Sequence, residues 1–147
     1  MFLSCIVFST VLAKSQQIKL AYQFLYSSVS KEKSNSSPPI VIYVPVNQQF
    51  NINGCTVTID MGIYYVFNEL TLELVAVYTT PVYITINCGI PHNYVRSSNE
   101  VSIEVNNDEV TDVYFENSGT QELDDILNDT GFQQKFVTMV NNNRPRL

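Results

Sequence analysis

A chain of 147 residues with 45% hydrophobic residues is long enough to fold as one domain with a proper core, and too apolar to be disordered. Its formal net charge is −6, and its charged fraction of 15% lies well below the usual quarter. Binding to phosphate backbones requires clustered Lys and Arg, and eight scattered cations, the Arg144-Pro145-Arg146 tail included, give no footprint for nucleic acid. A surface so short of charge is covered by Asn, Ser, Thr, Gln and Tyr instead. That suits an extracellular protein or one packed among neighbours in an assembly. AT-rich codon usage would produce the same excess of Asn and Ile.

The first 13 residues, MFLSCIVFSTVLA, read as a secretory signal peptide. The apolar run is too short to span a bilayer, and Val11 and Ala13 place small side chains before a cleavage point. Lys14-Ser15-Gln16-Gln17 then turns polar, although no Lys or Arg precedes the run. The alternative keeps the segment as an amphipathic helix, because Leu3, Val7 and Val11 recur at helical spacing. Residues 14–33 continue as a helical segment, with Ile18, Ala21, Tyr22, Leu25 and Val29 on one face. Residues 34–39 form a linker within the stretch SKEKSNSSPP, where Pro38 ends any helix.

From residue 40 to 147 the chain is predicted to be one β-rich domain with a helical C-terminus. Ile40–Val46 is an apolar strand that Pro45 either ends or confines to a sheet edge. Phe50-Asn51-Ile52 and Cys55–Ile59 flank Asn53-Gly54, whose residue types tolerate the positive φ of a type I′ hairpin turn. Alternation places Cys55, Val57 and Ile59 inward and Thr56, Thr58 and Asp60 outward. Further strands are predicted over Ile63–Phe67, Leu70–Thr80 and Val82–Cys88, the first two joined through Asn68-Glu69 and the last two broken by Pro81. Val101–Val105 and Val110–Phe115 pair across Asn106–Glu109. Thr120 is expected to cap a helix over 121–128, and Gly131 to break it from a second one carrying Phe132, Phe136 and Val140 at i, i+4 and i+8. About seven short strands at regular spacing predict a single antiparallel β-sandwich or barrel, with an N-terminal helix and short C-terminal helices.

Candidate sites are few. Cys55 and Cys88 are the two cysteines left if Cys5 departs with a signal peptide, and an oxidising compartment would let them form one disulfide. Two buried free thiols are the alternative. Asn35-Ser36-Ser37 and Asn128-Asp129-Thr130 are glycosylation sequons in a eukaryotic secretory route. Tyr64 and Tyr65 must point to opposite faces of a strand, so one of them joins Tyr43, Tyr78 and Tyr83 as a candidate partner surface, ordinary sheet propensity being the simpler account.

Catalytic readings find little support. His92 is the only histidine, follows Pro91 in a predicted loop, and has no Gly-rich nucleophile turn beside it. Asp60, Glu69, Glu73 and Glu104 are carboxylates without room for a substrate cleft. Asp124, Asp125, Asn128 and Asp129 do not follow calcium-loop spacing and read as helix N-terminal charges. No zinc spacing or phosphate loop appears, so no metal or cofactor is expected.

Two functions follow as expectations. The first is a non-catalytic secreted or surface-exposed module that binds another protein, without a membrane span. The second is a small structural subunit of a larger assembly such as a virion shell, with the N-terminal helix retained, the cysteines reduced and the low surface charge hidden between neighbours.

Overall fold

The computed structural model of the chain describes residues 37–89 and 100–147, and the backbone of 91–96. The signal peptide, the N-terminal helix, the first part of the linker and Asn35 lie outside the described residues. What is described is mostly β. Its strands are β1 (Ile40–Ile52), β2 (Cys55–Phe67), β3 (Leu74–Thr79), β4 (Val82–Asn87), β5 (Pro91–Arg96), β6 (Val101–Asn106) and β7 (Glu109–Phe115), followed by helices α1 (Gln121–Leu127) and α2 (Thr130–Asn142). They form two antiparallel sheets. The larger runs β1-β2-β4-β5 with β3 also on β2, and the smaller is the β6–β7 hairpin.

The barrel alternative is corrected: β1 and β5 end the larger sheet without meeting. Closure would have to bring those two edges together. The chain instead covers one face of an open sheet with α2 and the hairpin, because that face carries the apolar side chains.

The Asn53-Gly54 turn forms as expected, with φ of 50° and 80°. From it β1 and β2 pair in unbroken register, Ile52 opposite Cys55 through to Ile40 opposite Phe67. The strand therefore does not end at Pro45. Counting alternately from the hydrogen-bonded Ile52/Cys55 pair turns the nitrogen of Pro45 away from β2, so its missing donor costs the ladder nothing. Ile63–Phe67 is the far half of β2 and not a separate strand. The alternation that buries Val57 and Ile59 simply continues through Met61, Ile63, Tyr65 and Phe67.

Beyond Phe67 the predicted strand over Leu70–Thr80 shortens to Leu74–Thr79. Asn68 organises the turn between them: its Oδ1 accepts from the N–H groups of Leu70 (2.9 Å) and Thr71 (3.2 Å). Leu72 completes the turn at a φ of 58°, a conformation uncommon for a residue with a large side chain. β3 and β4 then lie end to end along the same edge of β2, β3 beside residues 63–67 and β4 beside 56–60. Pro81 breaks them apart without reversing direction. Thr80 spans the break, its Oγ1 accepting from the Gly62 N–H (2.8 Å) and its N–H donating to the Gly62 carbonyl (2.9 Å).

His92, expected in a loop, lies in β5, opposite Ile86 of β4. The segment has no alternation to announce a strand; its pairing partner supplies the structure. The β6–β7 hairpin forms with a tighter turn than expected, Asn107 and Asp108 both taking positive φ. Thr120 occupies the N-cap position of α1 but makes no side-chain cap bond. The loop there is held by Asp124, whose Oδ1 accepts from the Ser118 N–H at 2.7 Å. The break between helices falls at Asn128-Asp129, and not at Gly131, because Asp129 caps α2 by accepting from the Phe132 N–H at 2.8 Å.

Helix α2 seals the inner face. Phe132, Phe136 and Val140 are buried, as their spacing predicts. Phe132 meets Phe50 of β1 edge-on at 6.1 Å, and Phe136 meets Phe115 of β7 at 5.2 Å. Three polar ties fix the helix in place. The Tyr65 hydroxyl donates to the Val140 carbonyl at 2.6 Å. Asn141 pairs with both backbone groups of Val110, accepting from its N–H at 3.0 Å and donating to its carbonyl at 2.8 Å. Arg144 holds Asp108 through its carboxylate (2.6 Å) and its carbonyl, while lying over the Phe67 ring. The Arg144 bond, aided by the Leu74 N–H, keeps the Asp108 carboxyl below the usual carboxylate range.

Candidate interaction surface

With α2 and the hairpin on one face of the larger sheet, its other face is built from the alternate residues of β1 to β4. Cross-strand register places Tyr43, Tyr64 and Tyr78 directly opposite one another on three neighbouring strands. The Tyr43 and Tyr64 rings meet at 5.1 Å, tilted by 47°. Tyr43 lies across Gly62, where any side chain would collide with its ring, so glycine is what lets the tyrosine lie flat on the sheet. Burial, with the Tyr43 phenol second, raises the Tyr64 hydroxyl above the ordinary phenol range.

One row further, Val66 is flanked by Val41 and Ala76 and is buried although it points away from the main core. Val75, 52% exposed, is the extra residue where the β2–β3 register shifts beyond Val66 and has no partner across β2. In the opposite direction the face turns polar. Asn47, Asp60 and Tyr83 form one row, Gln49, Thr58 and Thr85 the next, and Asn51, Thr56 and Asn87 the last. Tyr83 is 56% exposed and stands on β4 about 13 Å along the strands from the tyrosine row. Asp60 is the one charged side chain on this face of β1 to β4.

Four of the five tyrosines singled out from the sequence thus share one face. Tyr65 does not: it is fully buried on the opposite face, and its place there is corrected accordingly. Val41 and Gly62 also lie on this face, with Val66 buried between its neighbours, and were not foreseen. Alternation from Tyr64 places Gly62 and Val66 beside it, but only the register with β1 and β3 brings Val41 and Ala76 alongside.

The cysteine expectation holds: Cys55 and Cys88 are bridged. They form the rung beyond Thr56 and Asn87, with Cα atoms 4.4 Å apart, the close approach of a non-hydrogen-bonded antiparallel pair. Asn128 is exposed at the C-cap of α1. The acidic segment around it is engaged in local structure, Asp125 accepting from Gln121 at 2.5 Å and Asp129 capping α2.

Acidic charge collects on the hairpin instead. Glu104 and Asp112 are directly opposite, and with burial a lesser cause they raise the Tyr114 hydroxyl above its usual range. Among the described residues no group of three His, Cys, Asp or Glu is placed to hold a metal ion, and no helix is long and apolar enough to cross a membrane. No protein-family model, curated protein or solved structure matches this chain, so no relative's activity bears on the surface.

Proposed function

We propose that the chain is a non-catalytic secreted or surface-exposed module that binds another protein through the outer face of its larger sheet. The observation that carries this reading is the composition of that face: four tyrosines, a valine row and hydroxyl or amide side chains around a single carboxylate. Charge depletion with tyrosine enrichment is what distinguishes the centre of a protein interface from ordinary surface. Rigid tyrosines also supply contact area at low entropic cost. The disulfide supports an oxidising compartment, and the exposed Asn128 sequon is available to a glycan there. The same sparsely charged face would suit a subunit buried among neighbours in an assembly.

A photoreactive amino acid placed at position 83, and separately at position 104 on the acidic hairpin, tests the proposal on the intact protein in its native setting. Position 83 is expected to yield a discrete cross-linked species that position 104 does not. Equal patterns, or no species from position 83, would remove the outer face from the function. Intact mass with thiol labelling tests the compartment. Loss of residues 1–13 with no reactive thiol supports secretion, whereas a full-length chain with three labelled thiols favours the assembly subunit.

A further inference from the structure

From the pattern of charge and hydrogen-bonding groups on the outer face, we infer that its partner is a second copy of the same chain, the two sheets packing face to face as a symmetric dimer. This rests on the reading of that face as a binding surface. The chain carries a net charge of −6, yet its outer face between β1 and β4 holds only Asp60. The Glu104–Asp112 pair lies on the hairpin and Asp125 is exposed on α1, all outside that face. A basic partner would be drawn to those carboxylates and not to a sheet face with only one. A second copy, by contrast, meets only the two Asp60 carboxylates when the sparsely charged faces join.

The polar half of the face is also self-complementary. Asn, Gln, Thr and Tyr each carry both a donor and an acceptor, so any such side chain can pair with any other, whichever copy it comes from. A two-fold axis needs that property, because it sets one patch against itself.

The size fits as well. Thirteen-residue strands at about 3.3 Å per residue, three abreast at about 4.8 Å, present a footprint on the order of 600 Å². Stable interfaces bury roughly 600–1,000 Å² on each partner. Sheets packed face to face about 10 Å apart are a standard arrangement of protein cores, so the contact needs no rearrangement of the strands.

Sedimentation equilibrium on the full chain tests the inference. Dimer is expected at about 100 μM, above the micromolar end of affinities for interfaces of this size. Tyr83→Glu, at a side chain exposed enough for the fold to tolerate it, is expected to weaken association about tenfold or more. Asp60→Asn is expected to tighten it by about threefold, because two buried carboxylates are relieved at once. Glu104→Lys, on the hairpin, is expected to leave it unchanged.

A protein monomeric throughout overturns the inference, as does self-association indifferent to both Tyr83→Glu and Asp60→Asn. If the chain is monomeric while position 83 still cross-links to a different protein, the homodimer fails and the interaction module stands. If position 83 cross-links to nothing, both fail.

Discussion

Replacing Tyr65 with Phe removes a single hydroxyl from the centre of the fold. Tyr65 is fully buried on the inner face of β2, and its hydroxyl donates to the Val140 carbonyl at 2.6 Å. That carbonyl belongs to the last turn of α2, where carbonyls run out of helical N–H partners. The Arg144 N–H, four residues on, donates to Asn141 at 3.2 Å instead. The tyrosine is therefore what satisfies Val140, and phenylalanine leaves a buried acceptor without its donor. A typical hydrogen bond contributes about 1 kcal/mol net, and an orphaned buried acceptor costs about 1–3 kcal/mol, so the substitution is expected to destabilise by about 2 kcal/mol. With a urea m-value of about 1.5 kcal/mol/M, the midpoint falls by about 1.3 M while m stays the same.

The same hydroxyl makes a pH prediction. Burial raises its pKa far above the ordinary phenol value, so the native state favours the protonated form more than the unfolded state does. Its contribution is then fully present below the unfolded pKa of about 10 and is lost as pH climbs above that value. The gap between the parent protein and Tyr65→Phe should accordingly narrow above about pH 10. Urea titrations at pH 7 and at rising alkaline pH measure both effects. A variant within about 0.5 kcal/mol of the parent at neutral pH, or one with an unchanged alkaline slope, would refute the assigned role of Tyr65.

Three further substitutions probe other ties. Replacing Cys55 and Cys88 together by Ser opens a loop spanning 33 positions, and the chain-entropy relation puts the loss at about 3.7 kcal/mol; an unmoved urea midpoint would show that the bridge does not constrain the unfolded chain. Asn141→Ala unpairs both backbone groups of Val110 and is expected to cost about 1–3 kcal/mol, with faster amide exchange at Val110 as the local signature. Gly62→Ala drives the Tyr43 ring off the sheet. Because Tyr43 is 46% exposed and free to swing out, stability should fall by no more than about 1.5 kcal/mol while the near-ultraviolet circular dichroism of the tyrosine pair changes; an unaltered spectrum would contradict the placement of that ring.

The outer face shows how far local pattern reaches. Tyr64-Tyr65 in sequence guarantees that one ring is in and one is out, but not which. The answer comes from Val57, Ile59, Met61 and Ile63, which share the parity of Tyr65 and carry it into the core. Asp60 and Gly62 on either side of Met61 interrupt the apolar run and mask that continuity in the sequence. β5 was hidden for a different reason: PHNYVR has no alternation, and its extended form depends on β4. The aromatic contacts of α2 were legible in part, since Phe132 and Phe136 lie one turn apart, while Phe50 and Phe115 reach them only through the fold.

By itself the sequence determined what depends on neighbours along the chain: the Asn53-Gly54 turn, the period-two alternation of β2, the buried stripe of α2, the low surface charge and the parity of the cysteines. Each is a local preference for φ or a periodicity that the backbone imposes. Tertiary structure decided what depends on partners across the chain. It joined β3 and β4 into one interrupted edge along β2, set Cys55 against Cys88 on a common rung, left the sheet open beneath α2, and lined up Tyr43, Tyr64 and Tyr78. A period of two specifies that a strand has two faces. Which residues stand side by side on a face depends on register, and register is settled only when the strands, the helix and the core they share pack together.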